Sequence, residues 1–344
     1  MVETITQSSN DWFKIHVDRK ELKKLYKRSD LAGFKHIVTY FVILIVLGFL
    51  CINYYETWWF ILFYICYCTL WGGADAIWHE CGHGTAFKTR KYNDFFYYIA
   101  SFMNNFEPVR WRWSHSLHHS YTASIDPHDF EVEGSIFWAP RNLINFFIIF
   151  IPGISLIFFH KSLHKEIIWH ALGLETRVMR ECIPEDKKKS CINSSRIFIS
   201  LWVCIVICSF VLSSLLPILL LLIPKCFASI NMLWGLTQHM GLQEGVKDHR
   251  FSTRSIRLNP IFSFIYWKME YHIEHHMFPM VPSHNLPKLH QLLKHELPKP
   301  QTLIQAYKEI IPAVIKKAKD PKYYIPVNIP VSYTHLTLPT KRIV

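Results

Sequence analysis

The sequence lacks the motifs that would let it hold a cluster or cofactor through cysteine or a glycine-rich loop. Its nine cysteines form no CxxC pair and no four-cysteine pattern, and no GxGxxG loop or haem-binding domain accompanies them. This excludes a built-in iron–sulfur, flavin or haem module. Cys51, Cys66, Cys68, Cys204 and Cys208 lie inside apolar runs, where they read as small hydrophobes rather than disulfide partners. The first 35 residues hold no apolar segment followed by a small-residue cleavage site, so no cleavable signal peptide is expected. Acidic residues are also outnumbered, 26 against 38 Lys and Arg, for a net charge of +12 and a pI near 9.2. The placement of the basic residues excludes a nucleic-acid reading. Lys14, Arg19, Lys20, Lys23, Lys24, Lys27 and Arg28 precede the first apolar run, and Lys187, Lys188 and Lys189 fall in a later polar loop. That is the positive-inside pattern of cytoplasmic segments.

What the chain has in abundance is apolar and aromatic surface. Half of its 344 residues are hydrophobic, with 12 Trp, 16 Tyr and 25 Phe, and the mean hydropathy is +0.12. Two apolar runs, Ile37 to Ile52 and Trp58 to Trp78, each approach the ~20 residues needed to cross a bilayer. The break between them, Asn53–Thr57, has no Lys or Arg and reads as an outside hairpin, so the second helix delivers His79 to the cytoplasmic face. Residues 91–107 read as an interfacial helix. Residues 143–159 are apolar but broken by Pro152–Gly153, and residues 197–238 are long enough for two crossings, with a turn at Ser213–Pro217 or Pro224–Lys225. Histidine clusters that share a site must be separated by an even number of crossings, so 143–159 is expected not to span.

The predicted architecture is an all-α polytopic membrane protein. It has four transmembrane helices, cytoplasmic termini and a cytoplasmic helical cap holding a di-metal site. Residues 1–34 are expected to form a basic cytoplasmic segment and 35–330 the membrane domain. Val331 to Val344 break in character, resemble a translated sequencing-adapter tail and are expected to be non-native.

Histidine is the abnormal count, at 20, and it clusters. His79 and His83 are four residues apart, while His115, His118 and His119 repeat as HxxHH and so do His272, His275 and His276. Spacings of three and four place these rings on one helical face. Eight imidazoles exceed the roughly four to six ligands of one ion and fit two, with His239 as a ninth at the end of the last membrane helix. Asp75, Glu80, Asp126, Asp129 and Glu274 are the candidate partners that would orient the rings. His79-Glu80-Cys81-Gly82-His83 also matches the HExxH signature of zinc proteases, with Glu80 as general base. An intramembrane metalloprotease needs few further ligands, however, and leaves the other clusters unexplained. A non-enzymatic membrane scaffold leaves all of them unexplained.

The three boxes, with HECGHGTAFK at 79–88 and NPIFSFIYWKMEYHIEHHMFP at 259–279, resemble the membrane fatty acid desaturase and hydroxylase superfamily. The resemblance runs from about residue 35 to 330. It implies four membrane helices, a cytoplasmic di-iron cap and an enclosed acyl channel, with His79, His83, His115, His118, His119, His272, His275 and His276 as iron ligands and His239 as the extra one. Where acyl-CoA desaturases have an asparagine one turn before that histidine, this chain has Gly235. The implied reaction is insertion of a double bond into an acyl-lipid or acyl-CoA chain. It uses two Fe2+ ions, O2 as co-substrate and electrons from a ferredoxin, rubredoxin or cytochrome b5-like donor with its reductase. The setting would be a bacterial inner membrane. The segments HGTAFK, WRWSH, QHMGL and DHR are similar to a bacterial branch, the rhizopine-catabolism oxygenases, whose substrate is a small O-methylated inosamine. This keeps a monooxygenase outcome, hydroxylation or oxidative O-demethylation, as the alternative.

Overall fold

The computed structural model describes residues 12–124, 129–131, 144, 146–157 and 163–330. Asp126, His128 and the expected tail 331–344 lie outside them. The described residues are mostly helical. A short helix α1 (Arg19–Leu25), capped by the Asp18 carboxylate, precedes α2 (Asp30–Asn53). The apolar run begins at Ile37, but the helix begins earlier because the Ser29 hydroxyl accepts from Ala32 N–H and caps it. The Asp30 carboxylate then accepts from the Thr89 N–H and hydroxyl, both at 2.8 Å. This fixes the start of α2 to the loop that follows the first histidine box.

Helices α3 (Trp59–Gly72) and α4 (Ala74–Gly82) continue one another as a 24-residue apolar rod. The amphipathic helix α5 (Arg90–Asn104) buries Tyr97, Ala100 and Met103 and exposes Phe95 and Tyr98, as an interfacial helix should. Helix α6 (Pro108–Ser120) carries the second box. Three more helices follow, α7 (Leu163–Ala171), α8 (Arg177–Cys182) and the long α9 (Glu185–Val211). Of residues 143–159, those described are helical at 144 and 146–148 and again in the four-residue helix Ile154–Ile157, on either side of a break at Pro152–Gly153. Gly153 sits at φ 80° and donates to Cys226 O at 2.9 Å. The described part of this segment therefore packs back onto residues 224–227 and, among the described residues, holds no helix long enough to span.

Among the described residues, three helices are long and apolar enough to cross a membrane: Asp30–Asn53, Trp59–Gly82 and Glu185–Val211. The fourth expected crossing differs. After a turn at Leu212–Ser214, with Ser213 at φ 47°, the chain returns as separate pieces. These are a π-helical turn Ile218–Leu222 and the short helices Pro224–Phe227, Ser229–Asn231 and Met232–Gly235. The turn takes the first of the two expected positions. Pro217 and Pro224 have no N–H to continue a ladder, which is why a run apolar enough to be one helix becomes several. Irregular backbone at that depth needs internal hydrogen-bond partners. They come from α3: Tyr64 OH donates to Leu219 O at 2.8 Å and Tyr67 OH to Leu220 O at 2.7 Å.

The polar end is closed by α10 (His272–Met277), α11 (Leu286–Leu293) and α12 (Leu303–Lys319). A two-residue parallel pairing of β1 (Ile256–Arg257) with β2 (Gln301–Thr302) joins them. The basic N-terminal segment lies over this end. The Trp12 ring stacks on His249 at 4.1 Å and its indole N–H donates to Ser120 O at 3.0 Å.

Replacing Tyr67 by Phe should strand the Leu220 carbonyl and lower stability by about 1–3 kcal/mol. Thermal unfolding in detergent checks this, and an unchanged midpoint would count against the phenol's role.

Candidate metal centre

The second and third boxes enter the site from opposite helices. Glu107 fixes α6 at its start: its carboxylate accepts from Val109 N–H at 3.0 Å and Arg110 N–H at 2.6 Å, ahead of Pro108 in the first turn. The same carboxylate accepts from Cys191 Sγ at 3.0 Å and from the Ser194 hydroxyl, which ties the second box to membrane helix α9. The third box follows Trp267 and Lys268, two non-glycine residues at φ 44° and 66°. That left-handed pair is costly and is held in place by stacking of Trp267 on His36 at 4.1 Å.

The nine predicted histidines converge, and they divide into two sets. His79, His83, His115, His119 and His275 bring one nitrogen each within 4.8 Å of one another, and His118, His239, His272 and His276 do the same. Each HxxHH box is therefore shared between sets rather than aimed as a unit. Helix phase gives the reason. With about 100° per residue, i+4 lies roughly 40° to one side of i, and i+3 roughly 60° to the other. So His115 and His119 stay together while His118 swings to the second set, and His272 and His276 stay together while His275 swings to the first.

The inward nitrogens crowd together in each set. His115 Nε2 lies 2.8 Å from His83 Nε2 and 3.2 Å from His119 Nε2, which is itself 3.2 Å from His275 Nε2. In the second set His276 Nε2 is 3.2 Å from His118 Nε2 and 3.1 Å from His272 Nε2, and His239 Nε2 is 3.1 Å from His272 Nε2. Metal–imidazole bonds of ~2.0–2.1 Å at near-right angles put neighbouring nitrogens roughly 3 Å apart. Both ring nitrogens of His79, and Nδ1 of His119 and His275, are buried with no hydrogen-bond partner. The residues fit a pair of metal ions.

Outer groups set the tautomers. Asp129 Oδ2 accepts from His118 Nδ1 at 2.7 Å and Glu131 Oε2 from His115 Nδ1 at 2.9 Å, leaving each Nε2 lone pair facing inward. His239 Nδ1 donates to Ser252 O at 2.9 Å, and His276 Nδ1 lies 3.3 Å from the Thr122 hydroxyl. Burial holds His83, His119, His272, His275 and His276 well below the ordinary histidine range, and burial together with His118 pushes His239 to about 3. Such rings are neutral, as metal ligands must be. Burial opposes charge on His118 too, but the Asp129 carboxylate outweighs it and raises the ring.

Of the partners expected from sequence, Asp129 bonds a ring of the sets and Asp75 lines the cavity beside His79, His115 and His118. Glu80 and Glu274 turn elsewhere. Glu80 accepts from Ser283 N–H at 2.9 Å, while Glu274 accepts from the Ser255 hydroxyl at 2.7 Å and bonds His290. One and two residues past a box histidine, they are rotated about 100° and 200° away from it. Glu131, Thr122 and Ser252 were not expected. Glu131 follows Asp129 in an acidic stretch that could have suggested it, whereas Ser252 acts through its carbonyl and leaves no mark in residue type.

Histidines so arranged at the end of apolar helices define a membrane metalloprotein. The fatty acid desaturase family model matches residues 56–308, and the chain belongs to that family. A curated fatty acid desaturase of Bacillus subtilis (strain 168) is 32% identical over 50 residues. That stretch covers 14% of this chain and only 14% of the relative's length.

Asp129→Ala should free the His118 ring and weaken metal retention about 10–100-fold. Competition against a chelator measures this, and retention equal to wild type would remove Asp129 from its orienting role.

Proposed function

We propose that this chain is a membrane-bound di-iron oxygenase that removes hydrogen from an unactivated C–H bond, with acyl-chain desaturation as the leading outcome. The observation that carries the reading is the division of nine imidazoles into sets of five and four, each set close enough together to hold a cation. His79, His83, His115, His119 and His275 hold one ion, and His118, His239, His272 and His276 the other. Two iron ions bound there supply the O2 activation that the chemistry needs. The chain's own part is to keep the rings neutral and oriented through Asp129, Glu131 and Ser252, and to keep the site dry.

The active site and termini belong on the cytoplasmic face of a bacterial inner membrane, with residues 35–330 as the functional unit and 1–34 as a basic cytoplasmic segment. The basic residues favour docking of an acidic electron donor, a ferredoxin, rubredoxin or cytochrome b5-like protein served by a reductase. The protease reading has little support, since Glu80 is committed to Ser283.

One observation favours a second reading. The cavity that touches both sets is only about 160 Å3 and is lined by Asp75, Glu131, Gln238 and Tyr266 as well as by Trp78 and Trp111. It is smaller than the ~300–1,000 Å3 of typical ligand pockets. Such a space suits a small polar molecule, on which the outcome would be hydroxylation or oxidative O-demethylation.

Elemental analysis of the detergent-purified protein should find about two irons per chain, and His118→Ala should lower that content and abolish turnover. One zinc and no iron would sink the oxygenase reading. Mass analysis of products separates the outcomes: loss of two hydrogens for desaturation, gain of one oxygen for hydroxylation, formaldehyde for demethylation.

A further inference from the structure

Behind the second histidine set lies a separate cavity of about 420 Å3, bounded by Thr253, Arg254, Lys299, Gln301, Glu309 and the segment 325–330. It does not open onto the rings. Its inner wall is the backbone that carries them: Arg254 N–H donates to Gln238 O at 2.7 Å and Arg254 Nη1 to Thr237 O at 2.6 Å and Met240 O at 3.2 Å, on both sides of His239.

Three buried polar atoms at this cavity have no hydrogen-bond partner: Arg254 Nη2, Thr253 Oγ1 and Gln301 Oε1. Arg254 is 6% exposed and Thr253 2%, so both are withdrawn from bulk solvent. The nearest acid to Arg254 is Glu309, whose oxygen is 4.0 Å from Nη2, and whose other oxygen accepts from Gln301 Nε2 at 2.7 Å. Arg250 also lines the cavity, but Asp248 neutralises it at 2.7 Å. That leaves Arg254 and the exposed Lys299 facing one distant carboxylate. Burial draws Arg254 down to about 10 even with Glu309 nearby, as expected of a guanidinium short of negative charge.

We propose that this cavity binds a phosphate group, with Arg254 Nη2 and Thr253 Oγ1 as inner donors and Lys299 as the outer cation. Guanidinium and hydroxyl donors at one point match the oxygens of a phosphate. Gln301 Oε1 accepts from the acidic oxygen of the singly protonated form. The volume leaves room for a substituent beyond the phosphorus, so the group can come from a free phosphomonoester or from a phosphomonoester lipid headgroup.

The test uses the full metal-loaded chain in detergent and two probes, glycerol phosphate in solution and phosphatidic acid in phosphatidylcholine vesicles. Lys299→Glu and Thr253→Val are the variants, since Arg254 also holds the His239 backbone and its loss could unfold the cap. Saturable calorimetric binding of glycerol phosphate, weakened roughly tenfold or more in both variants with metal content unchanged, supports the site with a soluble ligand. Preferential binding to the phosphatidic acid vesicles alone, lost in the same variants, supports it with a lipid headgroup. Absence of binding in both arms, or binding that both variants retain, overturns it.

Discussion

Unshared imidazole nitrogens in a dry interior, held about 3 Å from one another, repel unless positive charge stands between them. Six such contacts, from 2.8 to 3.2 Å, run through the two histidine sets. This constraint organises the rest of the polar end. Each ring needs its Nδ1 either donated outward or left unpaired in a buried pocket, and the structure does both. Asp129, Glu131 and Ser252 receive three of them, while His79, His119 and His275 keep theirs unpaired.

The membrane part serves that arrangement by ending its helices at one level. The 24-residue rod of α3 and α4 brings in His79 and, just past its end, His83, and α6 is moored to α9 through Glu107 and Cys191. The segmented return of residues 215–235 brings His239 to the same level. A segmented path across an apolar region is tolerable only because tyrosines on α3 satisfy its carbonyls. Close approach is also required. A Cβ on Gly73 would sit 2.9 Å from Ile265 O and one on Gly72 would sit 2.7 Å from Asn231 Oδ1, so the junction of α3 and α4 admits both neighbours only with glycine there.

Much of this was legible in the sequence because it rests on periodicity. Two apolar runs and three histidine spacings fixed α2, α3, α4 and the ligand candidates, and the Pro152–Gly153 break marked a segment whose described part holds no helix long enough to span. What was not legible depends on phase and on backbone. The boxes looked like two faces of three rings, but helical rotation sends His118 and His275 to the opposite sets. The fourth crossing looked like one helix, because hydropathy is blind to Pro217 and Pro224 cutting the ladder. Glu80 sits inside a literal protease signature, yet its direction, toward Ser283, is set by the fold of a segment two hundred residues away in sequence.

Charge supplies the last constraint. Nine neutral imidazoles contribute none, so two divalent cations would leave a large positive charge in a buried space, which is costly unless acids stand near it. Asp129 and Glu131 provide two carboxylates directly behind His118 and His115. Burial favours the neutral form of both acids, but the adjacent rings prevail and keep each below the ordinary carboxylate range. Asp75 adds a third acid at the cavity that both sets share. The same acids that orient the rings would therefore also offset the charge of ions held there, which is a reason for carboxylates to stand at this depth.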